Sequence, residues 1–258
     1  MKRSGTAPAV LMAALALLVA SPAAAEYYLY GYTGLSYSQD GDLDIEQPGL
    51  GTDLELEGLS YEGAPFDPPP YWGARAGYYF EDPALQPFGI ELDFLHFKII
   101  AETDKTVQAS GSYLGAPASG SVPLDTYVDG FEISNGVNFH SVNLTARHGW
   151  LKDEGAPAGR LQLYGGAGLA AVRMVVDTFL VGQTDAVRQE SKWTGPGVNA
   201  FVGTRYLPLD LWGGNLGVFA EYRFTHVGAT DLPAPNGGET RISSINTHHV
   251  IFGLGVHF

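Results

Sequence analysis

The sequence predicts an all-β chain that forms a single transmembrane, antiparallel, up-and-down β-barrel of eight strands. Three observations predict this fold class: a leader at the start, eight segments in which apolar residues alternate with small or polar ones, and a last segment that ends on an aromatic residue. Side chains of a strand point alternately to opposite faces. A barrel in a membrane turns the apolar face to lipid and the other face to its lumen.

Residues 1–25 have the pattern of a secretory signal peptide. Two basic residues, Lys2 and Arg3, precede the apolar segment 7–20, and an A-x-A cleavage site follows it. The apolar segment is too short for a spanning helix. We therefore expect an exported chain whose barrel domain covers 26–258.

The composition excludes several classes of protein. The chain has no cysteine, which excludes disulfides, thiolate metal sites and a lipid anchor at a cysteine. Its formal net charge of −14 argues against nucleic acid as a partner, because the phosphate backbone attracts basic proteins.

Eight alternating segments follow the leader, separated by connections that are alternately long and short. This pattern is typical of barrels with short turns at one end and long loops at the other, and it places both termini on the periplasmic side. The predicted strands are 27–39, 70–80, 87–101, 137–151, 161–179, 194–207, 215–228 and 243–258. The long connections are 40–69, 102–136, 180–193 and 229–242. Connection 102–136, rich in Ala, Gly and Ser, is expected to be mobile.

The four tryptophans agree with this topology. Trp72 and Trp193 are predicted at the outer rim, and Trp150 and Trp212 at the periplasmic rim. Aromatic residues gather at both interfaces of a membrane barrel.

Several inward positions of the predicted strands carry charges. They are Arg75, Glu91, Asp93, Arg147, Arg205, Glu221 and Arg223. An eight-stranded barrel is just wide enough for its own side chains, so buried charges must pair. The sequence therefore predicts a structural charge network that closes the lumen, and a small-solute channel is the less favoured reading.

The last strand carries a second signal. Phe252, Leu254, Val256 and Phe258 share its apolar face, and the chain ends there. Outer-membrane barrels typically present such a strand to their assembly machinery. We expect it to close the barrel against 27–39.

The leader, the alternating segments and the Phe-terminated strand together resemble the small outer-membrane β-barrel family, which includes the barrels of OmpA-like and OmpX-like proteins. This resemblance implies the outer membrane of a Gram-negative bacterium. It implies outer-membrane lipid, lipopolysaccharide and the barrel-assembly machinery as partners. The expected role is structural or surface-interacting, with no cofactor and no assigned oligomeric state.

A narrower resemblance keeps an enzymatic alternative open. Segments 68–75, 88–98 and 143–150 are similar to barrels described as lipid A oxidases, which implies a lipid A-modifying enzyme. Segment 224–228 is similar to the outer-membrane lipid A deacylase around its catalytic histidine. In that enzyme the nucleophilic serine comes two residues after the histidine, and here Gly228 stands in its place, which argues against deacylase chemistry.

Oxygen chemistry at iron uses two histidines and a carboxylate. His96, His226 and His248 could meet at the outer rim, with Glu102 or Asp104 as the carboxylate. Scattered interfacial histidines are the favoured reading, so no catalytic residue and no metal site are predicted.

The first long connection is strongly acidic. Its carboxylates are Asp40, Asp42, Asp44, Glu46, Asp53, Glu55, Glu57 and Glu62. The calcium loop pattern fails, because Ile45 stands at its glycine position and Gly51 at its bidentate glutamate position. We expect a solvated loop that holds divalent cations loosely, alongside lipopolysaccharide phosphates.

Overall fold

The computed structural model describes residues 26–211 and 213–258, so the predicted signal peptide and Trp212 lie outside the described residues. Within those ranges the regular structure is strand apart from three short 3-10 turns, and none of the helices is long and apolar enough to cross a membrane. The strands are β1 Glu26–Ser38, β2 Gly41–Gln47, β3 Thr52–Leu59, β4 Tyr61–Glu62, β5 Trp72–Tyr79, β6 Phe88–Ala101, β7 Thr106–Tyr113, β8 Ala116–Pro123, β9 Val128–Trp150, β10 Leu161–Leu180, β11 Val187–Leu211, β12 Gly214–Val227, β13 Thr230–Ala234, β14 Gly238–Ile242 and β15 Ile245–His257.

Eight of these strands form a closed antiparallel ring. Its order is β1-β5-β6-β9-β10-β11-β12-β15, and β15 returns to β1. At this seam Tyr28 lies opposite His257 and Leu35 opposite Val250. The ring confirms the predicted fold class, and the last strand closes it as expected. We call the end with the short connections the turn end and the other end the loop end.

Two strands of the ring are longer than predicted. β9 begins at Val128 rather than at 137, and β11 runs from Val187 to Leu211. The added part of β9 pairs with both of its neighbours, where Ile133 lies opposite Ile99. The added residues bury apolar side chains, but their sequence does not alternate clearly between apolar and polar residues.

Burial alternates along the ring strands as the sequence predicts. Leu144 and Leu92 point outward and are 69% and 60% exposed, whereas Asn143 and Glu91 point inward and are at most 1% exposed. The outward apolar side chains form a belt around the ring, which is the surface that lipid covers in a membrane barrel. Of the tryptophans, the three within the described residues, Trp72, Trp150 and Trp193, are all exposed.

The long connections form a second sheet, which corrects the expectation that they are loops. Six strands pair in the order β13-β14-β2-β3-β7-β8, and we call this the outer sheet. Connection 102–136, expected to be mobile, supplies β7 and β8 and the start of β9. One face of the sheet is mostly apolar and buried, except along the edge strand β8, where Ala118 alone is buried. Its largest buried side chains include Leu43, Ile45, Leu54 and Leu56.

The outer sheet and the loop-end half of the ring share one hydrophobic core. The ring contributes inward side chains that include Phe97, Ile99, Phe131, Ile133, Phe139, Val172 and Met174. Polar contacts add to this packing: the amides of Gln47 and Gln183 bond each other at 3.0 and 2.8 Å, and the Tyr113 hydroxyl donates to the Val181 carbonyl at 2.6 Å. Burying one such Leu or Ile contributes roughly 1.5–3 kcal/mol. All four loop-end connections take part in this arrangement. Three supply the strands of the outer sheet, and 180–193 contacts it through Gln183.

Candidate functional site

Five of the predicted lumen charges meet in mid-barrel, and we call them the central network: Arg75, Glu91, Asp93, Glu221 and Arg223. Arg75 binds Glu221 with two hydrogen bonds of 2.6 and 3.1 Å. Arg223 donates to Asp93 at 2.6 Å and to Glu221 at 3.0 Å. All five side chains are buried, and each cation contacts more than one carboxylate.

Neutral side chains complete the hydrogen bonding of the three carboxylates. Glu91 accepts from the Tyr28 hydroxyl at 2.9 Å and from the Asn143 amide at 3.0 Å. Glu221 accepts from Tyr164 at 2.9 Å, and the Tyr32 hydroxyl donates to Asp93. Such partners are needed, because a buried charge repays its desolvation only when its remaining hydrogen bonds are made. Glycine makes room for two of the tyrosines: a Cβ at Gly77 or Gly73 would collide with the ring of Tyr28 or Tyr32.

The central network bridges opposite walls of the barrel. β6 and β12 are four places apart in the ring of eight, so the contact between Asp93 and Arg223 crosses the full width of the lumen. The Arg75 guanidinium carbon lies 4.7 Å from the ring centroids of both Tyr32 and Phe219. Charged and aromatic side chains therefore obstruct the bore at this level.

Arg147 does not join the central network, although it was predicted to do so. It lies near the turn end, where its Nη2 donates to Glu26 at 2.6 Å. The same carboxylate lies 2.8 Å from Nδ1 of His257. Alternation gives the face that Arg147 occupies but not its height in the barrel, and at this height Glu26 is the carboxylate within reach.

Arg205 does not pair with a carboxylate, although a network of paired lumen charges was predicted to include it. Among the described residues, none of the carboxylates lies within ion-pair distance of its guanidinium. Its Cζ instead lies 4.7–4.8 Å from the ring centroids of Tyr28, Tyr30 and Tyr164. Aromatic faces attract a cation, most strongly where water is excluded.

The less favoured alternative, a rim cluster of three histidines, does not form. His96 lies on β6, whereas His226 and His248 lie on β12 and β15, and two strands of the ring separate β6 from β15. Each histidine has its own polar neighbour: Asn138 for His96, Asn246 for His226, and Tyr222 for His248. Within 26–211 and 213–258, none of the groupings of three His, Cys, Asp or Glu side chains is suited to a metal ion.

Six acidic residues of the first connection lie on the solvent face of the outer sheet: Asp42, Asp44 and Glu46 in β2, and Asp53, Glu55 and Glu57 in β3. The pairing of β2 with β3 puts Asp44 opposite Glu55 and Glu46 opposite Asp53, while Arg241 of β14 lies on the other side of Asp44. Partial burial, together with the charge of Glu55, raises the pKa of Asp44 above its usual value. Protonated Asp44 therefore suits the folded protein better than ionised Asp44 does. The stability that the protonated group gives the fold is lost as the pH rises through the raised pKa.

The closing strand exposes its apolar face. Phe252, Leu254 and Phe258 are 53–64% exposed, and Val256 is half-buried. The backbone of Phe258 makes two hydrogen bonds to Tyr27, at 3.0 and 2.8 Å. The backbone hydrogen bonds that close the ring therefore extend to Phe258.

Sequence reasoning missed the tyrosines that surround the buried charges. Tyr28, Tyr30 and Tyr32 are spaced by two along β1, and a strand must place such residues on one face. That spacing was the available signal, since a tyrosine on the small or polar face of a barrel strand reaches the lumen.

Comparison with known proteins agrees with this architecture. The family described as "Outer membrane protein beta-barrel domain" matches residues 10–258. No curated protein matches the chain significantly. Similar solved structures include Neisserial surface protein A (10% identity, 92% of this chain and 98% of that chain, TM-score 0.37). They also include Ail of Yersinia pestis (10% identity, 92% of this chain and 100% of that chain, TM-score 0.38). A third is OprG of Pseudomonas aeruginosa (14% identity, 91% of this chain and 94% of that chain, TM-score 0.40). Because the family covers nearly the whole sequence, this chain belongs to the outer-membrane protein β-barrel domain family of the bacterial outer membrane.

Proposed function

We propose that this protein is a closed, non-enzymatic outer-membrane barrel that holds a folded β-sheet at the cell surface for contact with other surfaces. The observation that carries the proposal is the outer sheet, which three loop-end connections build and which shares a hydrophobic core with the ring. In this arrangement the loop end faces outward and the turn end faces the periplasm. A sheet fixed in this way is a rigid interaction surface, because its position is set by packing and not by flexible loops.

The outer sheet suits a partner that brings positive charge. Asp44 and Glu55 lie directly opposite each other on its solvent face, as do Glu46 and Asp53. Like charges in opposite positions of a sheet repel, and divalent cations would relieve this repulsion. Lipopolysaccharide is the proposed partner, with Mg²⁺ or Ca²⁺ bridging its phosphates to these carboxylates. Oxygen ligands are the ones that both ions prefer.

Binding to lipopolysaccharide tests this proposal. Protein in nanodiscs is expected to bind a lipopolysaccharide-coated sensor in Mg²⁺ and to release it in EDTA. The double variant Asp44→Asn/Glu55→Gln should bind several-fold more weakly, because it removes one opposed carboxylate pair. The matched control is Glu81→Gln/Glu154→Gln, which removes the same charge from exposed residues at the turn end. Equal loss of binding in both variants would show that only net charge matters.

A closed lumen predicts the absence of ion conduction. Purified protein in a planar bilayer is expected to give no steady single-channel current in 1 M KCl, because the contact between Arg223 and Asp93 crosses the bore. The measurement is current against voltage, with an open porin in the same bilayer system as the positive control. Reproducible current steps from the wild-type protein would contradict a closed barrel and support the channel alternative.

A further inference from the structure

A band of aromatic rings crosses the outward face of the ring near the loop end, and we call it the aromatic band. It consists of Trp72 on β5, Phe94 on β6, His140 on β9 and Trp193 on β11. The centroids of neighbouring rings in the band are 4.8, 5.0 and 5.9 Å apart. Aromatic residues at this position of a membrane barrel mark the level of the lipid headgroups.

Arg173 lies within this band, on the strand between His140 and Trp193. β10 points its side chain outward, because the neighbours Val172 and Met174 are fully buried in the shared core while Arg173 is exposed. The strand register places Arg173 directly opposite Trp193. A guanidinium therefore stands between two exposed rings at the level of the headgroups.

The Arg173 guanidinium has no anionic partner in the protein. Among the described residues, none of the carboxylates lies within ion-pair distance of it. Its Nε donates to the Ser191 hydroxyl at 2.5 Å, which orients the group and leaves its two Nη groups for a ligand. Asp177, the next carboxylate along β10, accepts instead from the Gln189 backbone N–H and the Ser134 hydroxyl.

The surface on the turn-end side of Arg173 is apolar. Leu169, on the same strand, is 68% exposed, and Val142, Leu144 and Val198 on the two adjacent strands are also exposed. A guanidinium binds phosphate with two parallel hydrogen bonds, and the exclusion of water strengthens their attraction. The matching ligand therefore carries a phosphate at one end and hydrocarbon at the other. Inorganic phosphate alone would leave the apolar surface uncovered.

We propose that Arg173 and the aromatic band form a binding site for lipid A, and we call it the rim site. Arg173 binds one of the lipid A phosphates, the C–H faces of its sugars pack on His140 and Trp193, and its acyl chains cover the apolar surface. The choice of lipid A rests on the function proposed above, in which the loop end faces outward. The rim site differs from the outer sheet because it takes lipid from the barrel's own leaflet, without a bridging divalent cation.

Native mass spectrometry of the protein in nanodiscs tests the rim site through the lipid that each barrel retains. The three probes are bisphosphorylated lipid A, the same lipid A without its phosphates, and phosphatidylglycerol. EDTA is present throughout, so that bridging by Mg²⁺ or Ca²⁺ is removed. The wild type is expected to bind lipid A about tenfold more tightly than the dephosphorylated form, as one charged pair would, and more tightly than phosphatidylglycerol. Equal binding of either of these probes would overturn the proposal.

Variants locate the binding at Arg173. Arg173→Gln should abolish the preference for phosphorylated lipid A, whereas Arg173→Lys should keep part of it, because an ammonium group retains the charge but not the paired hydrogen bonds. Lys152→Gln removes the same charge from an exposed residue at the turn end and should behave as the wild type. Heat-modifiable migration on unboiled gels verifies that each variant is folded. An unchanged preference in Arg173→Gln, or an equal loss in Lys152→Gln, would overturn the proposal.

The outer-sheet variant Asp44→Asn/Glu55→Gln separates this site from the function proposed for the outer sheet. It should keep the full preference for phosphorylated lipid A in EDTA, because its carboxylates bind only through divalent cations. A loss of that preference in this variant would contradict a rim site that is independent of the outer sheet. Failure of the outer sheet to bind lipopolysaccharide in Mg²⁺ would leave the result at Arg173 unchanged.

Discussion

Replacing Arg223 with leucine is expected to destabilise the folded barrel by about 3–5 kcal/mol, since two buried carboxylates each lose one of the two cations that they contact. Arg223 is fully buried, and its guanidinium binds both Asp93 and Glu221. In the variant these carboxylates must share Arg75 or take up a proton. Urea unfolding in detergent micelles, followed by gel migration without boiling, measures the change.

Arg241→Leu is the matched control for this measurement. Its guanidinium lies 3.3 Å from Asp231, but the two side chains are 60% and 46% exposed. An exposed ion pair contributes about 0–1 kcal/mol, so this variant should unfold close to the wild type. The double variant Arg223→Leu/Asp93→Leu removes both partners of the bridge and should recover part of the lost stability. Equal destabilisation by Arg223→Leu and Arg241→Leu would mean that the central network adds nothing beyond a surface pair.

Replacing Ile45 with aspartate is expected to unfold the outer sheet while the ring stays closed. Ile45 is fully buried in the core that the outer sheet shares with the ring, and a carboxylate there has no partner to offset its desolvation. The ring has its own backbone pairing all the way round. Limited proteolysis of the protein in nanodiscs should then cut the loop-end connections of the variant, while unboiled migration remains that of a folded barrel.

Glu46→Asp controls for the introduced residue, because it places the same aspartate at the next position, on the solvent face. It should be as resistant to protease as the wild type. If Ile45→Asp were equally resistant, the outer sheet would not depend on the shared core. If it lost the folded migration as well, the sheet and the ring would form one cooperative unit.

The ring could be predicted from the sequence because its strands alternate strongly between lipid and lumen. Leu144 beside Asn143 shows why: opposite environments select opposite side chains at neighbouring positions. The outer sheet has the same period, as in Leu43 and Ile45, but turn-like Gly, Ser and Ala residues in 102–136 obscure it. Its pairing of distant connections is a tertiary property that no local pattern contains.

The sequence predicts on which face of a strand each site residue lies, but not which residues it contacts. Alternation put Arg147, Arg205 and Arg223 in the lumen, where all three lie. Only the register between strands decides the height of each guanidinium, and so Arg147 contacts Glu26 while Arg205 contacts tyrosine rings. The alternative of a histidine cluster at the rim depended on the same information: the order of strands around the ring keeps His96 apart from His248.

The pairing within the outer sheet joins the first loop-end connection to the last. β14 lies against β2, with Arg241 opposite Asp44, so the last connection to be synthesised is the direct neighbour of the first. A nascent or truncated chain that stops short of Gly238 lacks that edge, however complete its earlier strands are. The outer sheet is thus completed only after Gly238–Ile242 has been synthesised and has paired with Gly41–Gln47.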